Sequence, residues 1–181
     1  IATGMPGSTA AETAAIQDIL VEDGKFISIA PHLKATLEAQ GKDMASVEVV
    51  DLGGKLVCPP FCDTHLHLDY VFTARKPGAV NESGTLFEGI QRWSETKADL
   101  TVDEIKERAK IGIAKEMRHG VQFIRSHADV TDPNLTSLKA LLELKEELKD
   151  TVTLQIVSFP QEGMYSYEGP HGESGADLVE E

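Results

Sequence analysis

The feature that most constrains the fold is an alternation of strand-like and helix-like segments from residue 56 onward. Short β-branched runs alternate with longer stretches in which apolar residues recur every three or four positions. The predicted order is a strand at 56–68, helices at 86–98 and 101–120, a strand at 121–127, a helix after Asp132-Pro133 and a strand at 152–159. Strands separated by helices are typical of parallel βαβ units, so this region is predicted to be α/β.

The helices of this region carry their own sequence signals. Thr101 and Glu104 form a capping-box pattern at the start of the second helix, and Gly120 is typical of its end. The apolar spacing predicts that the helix after Asp132-Pro133 buries one stripe of side chains, and that the first helix buries another. These stripes are Leu135, Leu138 and Leu142, and Leu86, Ile90 and Trp93. Residues 162–181 are predicted as loop.

The beginning of the chain has a different pattern, in which short apolar runs are separated by turn residues. Asp23-Gly24 stands between the runs 16–21 and 26–29, which predicts a β-hairpin. Residues 31–45 fit a short helix or a surface loop equally well.

A second turn signal, Gly53-Gly54, lies between residues 47–50 and 55–57, which are predicted as further strands. The chain is therefore divided into residues 1–55, a β-rich beginning, and residues 56–181, the α/β region. Three parallel strands are too few for a (β/α)8 barrel, which takes about 250 residues, or for a doubly wound sheet. The sequence is expected to be the N-terminal part of a larger enzyme.

Composition excludes several classes of function. The 17 Lys and Arg against 30 Asp and Glu give a net charge of −13, so no nucleic-acid partner is expected. No apolar run approaches the roughly 20 residues of a membrane helix, and no signal peptide is expected. Cys58 and Cys62 would lie about 13 Å apart along a strand, too far to form a disulfide. They are expected to be small buried side chains in a cytoplasmic protein.

The segment most informative about chemistry is residues 59–69, which read PPFCDTHLHLD. Alternate residues of a strand share a face, so His65, His67 and Asp69 are predicted to point one way. Side chains two apart lie about 6.6 Å from each other, which lets two imidazoles bind one metal ion. The alternative is a solvent-facing histidine pair on an edge strand. The intervening leucines and the position at a strand end favour a metal site.

This segment resembles the His-x-His signature of the amidohydrolase superfamily, and within it the family of bacterial cytosine deaminases. The resemblance spans about residues 15–181 and includes SGTLFEGI at 83–90, IRSHADV at 124–130 and LQIVSFPQEG at 154–163. It implies the first three βα units of a (β/α)8 TIM-like barrel at 56–181. Residues 1–55 would then supply strands of a small β-sandwich domain.

By the same resemblance, His65 and His67 would be two ligands of a single divalent metal ion, iron or zinc. Gln161 would bind a pyrimidine ring through its amide, which offers both a donor and an acceptor. From the residues alone, Gln161 fits a loop residue that caps a backbone group. The remaining metal ligands and the catalytic proton-transfer groups are implied to lie beyond Glu181. The isolated chain is therefore expected to be inactive.

Three further polar residues accompany this site in the prediction. Asp69 would orient a metal-binding histidine or cap the loop after its strand. His127 and Asp129 share a face at the end of the second strand, where they would support the site or form a structural pair. Asp63, on the same face as His65, and Trp93 are expected to be structural.

Together, the motif and the resemblance predict a metal-dependent deaminase that hydrolyses the exocyclic amino group of cytosine or a similar heterocycle. Two alternatives stay open. One is hydrolysis of another cyclic amide or amidine, such as creatinine, a triazine or an oxidised base, and the other is a non-catalytic subunit with the same fold. The expected partners are a small heterocyclic substrate and the rest of the barrel, supplied by a C-terminal segment or a second chain. Assembly as a homo-oligomer is left open.

Overall fold

The computed structural model of the chain describes residues 16–180. The chain divides between Pro59 and Pro60 into two compact units. Residues 16–59, the first unit, contain a β-hairpin and a short helix, whereas residues 60–180, the second unit, contain a sheet and its connecting helices.

The hairpin of the first unit confirms the turn prediction. Strands β1 (Asp18–Glu22) and β2 (Lys25–Ala30) pair in antiparallel fashion. Asp23 and Gly24 connect them with φ angles of 49° and 71°, a left-handed conformation that Asp and Gly tolerate better than most residues.

The region that fitted either a helix or a loop contains helix α1 (Leu33–Ala39). The strands predicted at 47–50 and 55–57 do not form. Val49 and Leu56 are 61% and 70% exposed, and the only ladder within residues 16–59 is the hairpin. A strand needs a neighbour that satisfies its N–H and C=O groups, so an apolar pattern without such a neighbour remains irregular.

The sheet of the second unit has three parallel strands in the order β3-β4-β5, which confirms the predicted α/β architecture. The strands are β3 (Phe61–Leu66), β4 (Val121–Asp129) and β5 (Thr153–Phe159). The first strand starts at residue 61 rather than 56, because Pro59 and Pro60 have no N–H with which to join the ladder.

Helices connect these strands and follow the last of them. They are α2 (Leu86–Lys97), α3 (Val102–Arg118), α4 (Thr136–Glu147) and α5 (Gly175–Glu180). The capping box of Thr101 and Glu104 begins α3 as predicted, and Gly120 follows its end with a φ of 87°. Between residues 16 and 180, no helix combines the length and the apolar content that crossing a membrane requires.

The core lies between α2, α3 and α4 and one face of the sheet. Of the stripe predicted for α4, Leu135 is buried and Leu138 packs against the core, but Leu142 is 47% exposed. The helix instead buries Ala140, Leu141 and Leu144. The reason is that Leu135 is not helical: it precedes α4 in a left-handed conformation, so counting from it shifts the phase of the stripe. Leu86, in the first turn of α2, is likewise exposed, although Trp93 is buried as predicted.

Two further expectations are corrected. The tail predicted as loop contains α5, whose Leu178 is buried against Val130 and Leu135. Cys58 and Cys62 are exposed rather than buried. Cys62 is in register with Phe123, which is itself 45% exposed, on the face of the sheet opposite the core formed with the helices.

Candidate metal centre

Three histidines meet where the first two parallel strands end. The ring centroids of His65 and His67 are 5.3 Å apart, and that of His127 lies 4.2 Å from His65 and 5.7 Å from His67. Because the carboxyl ends of parallel strands lie at the same edge of a sheet, residues 60 apart in sequence come together. The structure thus brings together the two predicted ligands and His127.

The strand β3 is irregular next to the histidines. Asp63 is in register with Ile124 and Leu66 with Ser126, so three steps along β3 match two along β4. The regular pairing of β3 with β4 is therefore interrupted between Asp63 and Leu66, the segment that contains His65. Asp63 supports the irregular backbone, because its carboxylate accepts a hydrogen bond from the N–H of His65 at 3.0 Å.

A backbone carbonyl orients the half-buried His67. Its Nδ1 lies 3.0 Å from the carbonyl oxygen of His127. A carbonyl only accepts, so Nδ1 carries the proton and Nε2 keeps its lone pair for a metal. Burial, together with the neighbouring His65 and His127, lowers the pKa of His67, which favours the neutral ring that a metal requires.

Within residues 16–180, the carboxylate of Asp69 hydrogen-bonds to the backbone of β4 and not to a histidine. It is fully buried, and its Oδ2 accepts a hydrogen bond from the N–H of Asp129 at 2.9 Å. Its Oδ1 is buried without a hydrogen-bond partner within the described residues. Burial raises the pKa of Asp69 to about 7. Its observed contact joins the end of β3 to the end of β4.

Asp129 belongs to a buried network rather than to the histidine cluster. Its Oδ2 accepts hydrogen bonds from Trp93 Nε1 at 2.6 Å and from Lys97 Nζ at 3.0 Å. Its Oδ1 accepts from the N–H and the hydroxyl of Thr131. The ammonium of Lys97 also contacts Thr131 and Glu162, so it joins α2 to the loops after β4 and β5. His127 and Asp129 thus have different surroundings despite their predicted common face.

Gln161 lies just after β5 and faces a tyrosine that the sequence analysis did not single out. The hydroxyl of Tyr70 donates to Gln161 Oε1 at 2.5 Å. The Tyr70 ring stacks on His67 at 4.6 Å and on Trp93 at 4.1 Å between centroids. In the sequence, the only signal that could have identified Tyr70 is its position three residues after His67. In the structure, the N–H of Tyr70 donates to the carbonyl of His67 in a turn.

The donor set fits a metal site that residues 16–180 supply only in part. His65 and His67 offer two imidazoles, and the tautomer of His67 leaves Nε2 available. Within the described residues, no group of three or more His, Cys, Asp or Glu is arranged to hold a metal ion. Catalytic zinc in proteins usually has three protein ligands.

This combination of a parallel α/β sheet and a His-x-His pair at a strand end agrees with the comparisons with known proteins. The chain belongs to the amidohydrolase family, whose pattern its residues 48–180 match. A solved structure of 5-methylcytosine deaminase from Klebsiella pneumoniae, liganded with 5-fluorocytosine, is 41% identical and has a TM-score of 0.72. That match covers 90% of this chain and 36% of the deaminase.

Two curated proteins extend the range of relatives. N-isopropylammelide isopropyl amidohydrolase of Pseudomonas sp. (strain ADP) is 30% identical over 158 residues, which cover 85% of this chain and 37% of that protein. Pterin deaminase of Rhizobium rhizogenes (strain K84) is 28% identical over 152 residues, covering 81% and 32%. The chain spans about a third of the length of these relatives. The predicted resemblance to amidohydrolases is confirmed.

Proposed function

We propose that the full-length protein is a metal-dependent deaminase that hydrolyses the exocyclic amino group of cytosine or a closely similar heterocycle and releases ammonia. The observation that carries this proposal is the placement of His67 and the amide of Gln161 on one side chain, Tyr70, with His65 next to His67. The likeness to a 5-methylcytosine deaminase supports a pyrimidine substrate. In the full-length protein, the three strands would begin a (β/α)8 barrel, and residues 1–55 would join a small β-sandwich.

His65 and His67 would hold one divalent ion, iron or zinc, together with ligands from outside this chain. Such an ion supplies a nucleophile at neutral pH by lowering the pKa of a water molecule. The chain's own contribution is to align the imidazole of His67 through the hydrogen bond from Nδ1 to the carbonyl of His127. Burial lowers the pKa of His67 and so favours its neutral form. The groups that transfer protons are also expected outside residues 1–181, so the isolated chain would be inactive.

Gln161 would hold the ring of the substrate. Its position at the carboxyl end of β5 places it on the edge of the sheet that carries His67. Phe159, the last residue of β5, contacts both His67 and His127 edge-on, with centroid distances of 5.4 and 5.8 Å. An aromatic wall beside the histidines would exclude water from one side of a bound ring.

The experiment that tests the metal assignment is a measurement of metal content in the full-length protein and its His65→Ala/His67→Ala variant. We expect about one ion per chain in the natural protein and its loss in the variant, with loss of ammonia release from cytosine. His171→Ala is the matched control, because His171 is exposed and remote in sequence from the histidine cluster. Unchanged metal content in the double variant would refute the assignment.

A second candidate is hydrolysis of a related ring, such as a triazine or a pterin. It is favoured by the similarity to the N-isopropylammelide amidohydrolase and the pterin deaminase. Parallel ammonia and amine release assays on cytosine, 5-methylcytosine, a pterin and N-isopropylammelide separate the two candidates. Turnover of a triazine or pterin ring without turnover of either pyrimidine would replace the first candidate by the second.

A further inference from the structure

Tyr70 contacts both His67 and Gln161. Its ring is stacked between His67 and Trp93, at centroid distances of 4.6 and 4.1 Å with interplanar angles of 23° and 24°. The hydroxyl therefore has little freedom to leave its position beside Gln161. The rings on either side hold Tyr70 independently of the hydrogen bond that it makes.

The backbone of Gln161 is fixed separately from its side chain. Its N–H lies 3.4 Å from Asp129 Oδ1, and the next residue, Glu162, binds Lys97. Lys97 in turn binds Asp129, whose side chain is 1% exposed. What the backbone contacts do not determine is the orientation of the Gln161 side-chain amide, that is, whether Oε1 or Nε2 faces Tyr70.

Hydrogen-bond accounting favours one of the two amide orientations. With Oε1 facing Tyr70, the hydroxyl proton is donated to that oxygen, and both N–H groups of Nε2 stay free. With the amide reversed, the hydroxyl would accept from Nε2, and its own proton would have no acceptor among the described residues. The contact is part-buried, and a donor that is kept from water without a partner costs about 1–3 kcal/mol. The orientation with Oε1 on Tyr70 is therefore the stable one.

We propose that Tyr70 is a positioning residue that holds the amide of Gln161 with its NH2 group toward the substrate ring. The site then selects heterocycles that present a hydrogen-bond acceptor, such as a ring carbonyl, at this edge. This inference rests on the proposed function of Gln161. It sharpens the expectation from sequence, in which the amide offered a donor and an acceptor equally.

The test uses Tyr70→Phe in the full-length protein, because phenylalanine keeps the stacked ring and removes only the hydroxyl. Calorimetry would give dissociation constants for two rings that carry no amino group at the reacting carbon: 2-pyrimidinone, with a carbonyl, and 2-aminopyrimidine, with an amino group in its place. We expect the natural protein to prefer 2-pyrimidinone by about tenfold or more, and the variant to bind the two rings within about threefold. Tyr165→Phe, at a residue that is 87% exposed, is the matched control.

Two results would overturn the proposal. One is an unchanged preference in Tyr70→Phe, and the other is an equal loss of affinity for both rings, which would give Tyr70 a purely structural role. A readout without ligand separates this proposal from the proposed function. The 13Cδ resonance of Gln161 in the ligand-free protein should shift in Tyr70→Phe and not in Tyr165→Phe. An unchanged resonance refutes the orientation, whereas a shift in a protein that binds neither ring supports the orientation and refutes the pyrimidine substrate.

Discussion

The second unit encloses a core of buried apolar side chains, whereas within residues 16–59 no apolar side chain is buried. Leu141 and Leu154 are at most 2% exposed, whereas Val50 and Phe26 are 68% and 70% exposed. In the second unit, three helices cover one face of a three-stranded sheet, which encloses a core. A hairpin and one short helix are too few layers to do the same. Local turn and cap signals therefore form elements in both units, but only the second unit encloses its apolar residues.

The largest difference between the two units is expected in how much an ion pair contributes to the free energy of unfolding. Lys97 is 12% exposed and binds the buried Asp129, whereas Lys42 and Glu22 are 45% and 48% exposed. Lys97→Met leaves a buried carboxylate unpaired and is expected to lower the free energy of unfolding by about 3–5 kcal/mol. Lys42→Met should cost about 0–1 kcal/mol. Urea unfolding followed by circular dichroism measures both, and equal costs would break the comparison.

Truncation of apolar side chains should show the next largest difference. Leu141→Ala creates a cavity in the core and is expected to cost about 2–5 kcal/mol. Val49→Ala removes exposed methyl groups and should cost about 0.5 kcal/mol or less. Urea unfolding of the two variants measures both costs. A cost of several kcal/mol for Val49→Ala in the full-length protein would show that another segment buries this residue.

The smallest difference is expected at the helix caps. Thr101 accepts a hydrogen bond from the N–H of Glu104 and begins the 17-residue helix α3. Thr101→Ala should therefore cost about 1 kcal/mol. Asp43 caps only a single turn, Met44–Ser46, in the first unit. Asp43→Ala should leave the thermal midpoint of the second unit unchanged, and a shift as large as that of Thr101→Ala would contradict this account.

The sequence predicted where helices and strands lie better than it predicted which of their side chains are buried. Thr101, Glu104 and Gly120 act through neighbours in the chain, so their patterns located both ends of α3. The burial of Leu141 instead of Leu142 depends on where α4 starts. That start is set by the left-handed Leu135, for which leucine carries no local signal.

The candidate site was predictable to the extent that it lies within one short segment of sequence, at the end of β3. The spacing of His65 and His67 indicated a shared face, and the structure places their rings side by side. The contact of Tyr70 with Gln161 joins residues 91 apart in sequence, so it depends on the parallel pairing of three strands. The burial of Asp69 and Asp129 has the same origin. The pattern of apolar residues within one segment does not predict contacts between segments that are far apart in sequence.

The central claim is that His65 and His67 bind one divalent metal ion. It is tested most directly by a crystal structure of the full-length protein with anomalous data collected at the iron and zinc edges. The account predicts a single anomalous peak within about 2.1 Å of Nε2 of both His65 and His67. A metal-loaded protein whose only peak lies away from these two imidazoles would contradict it.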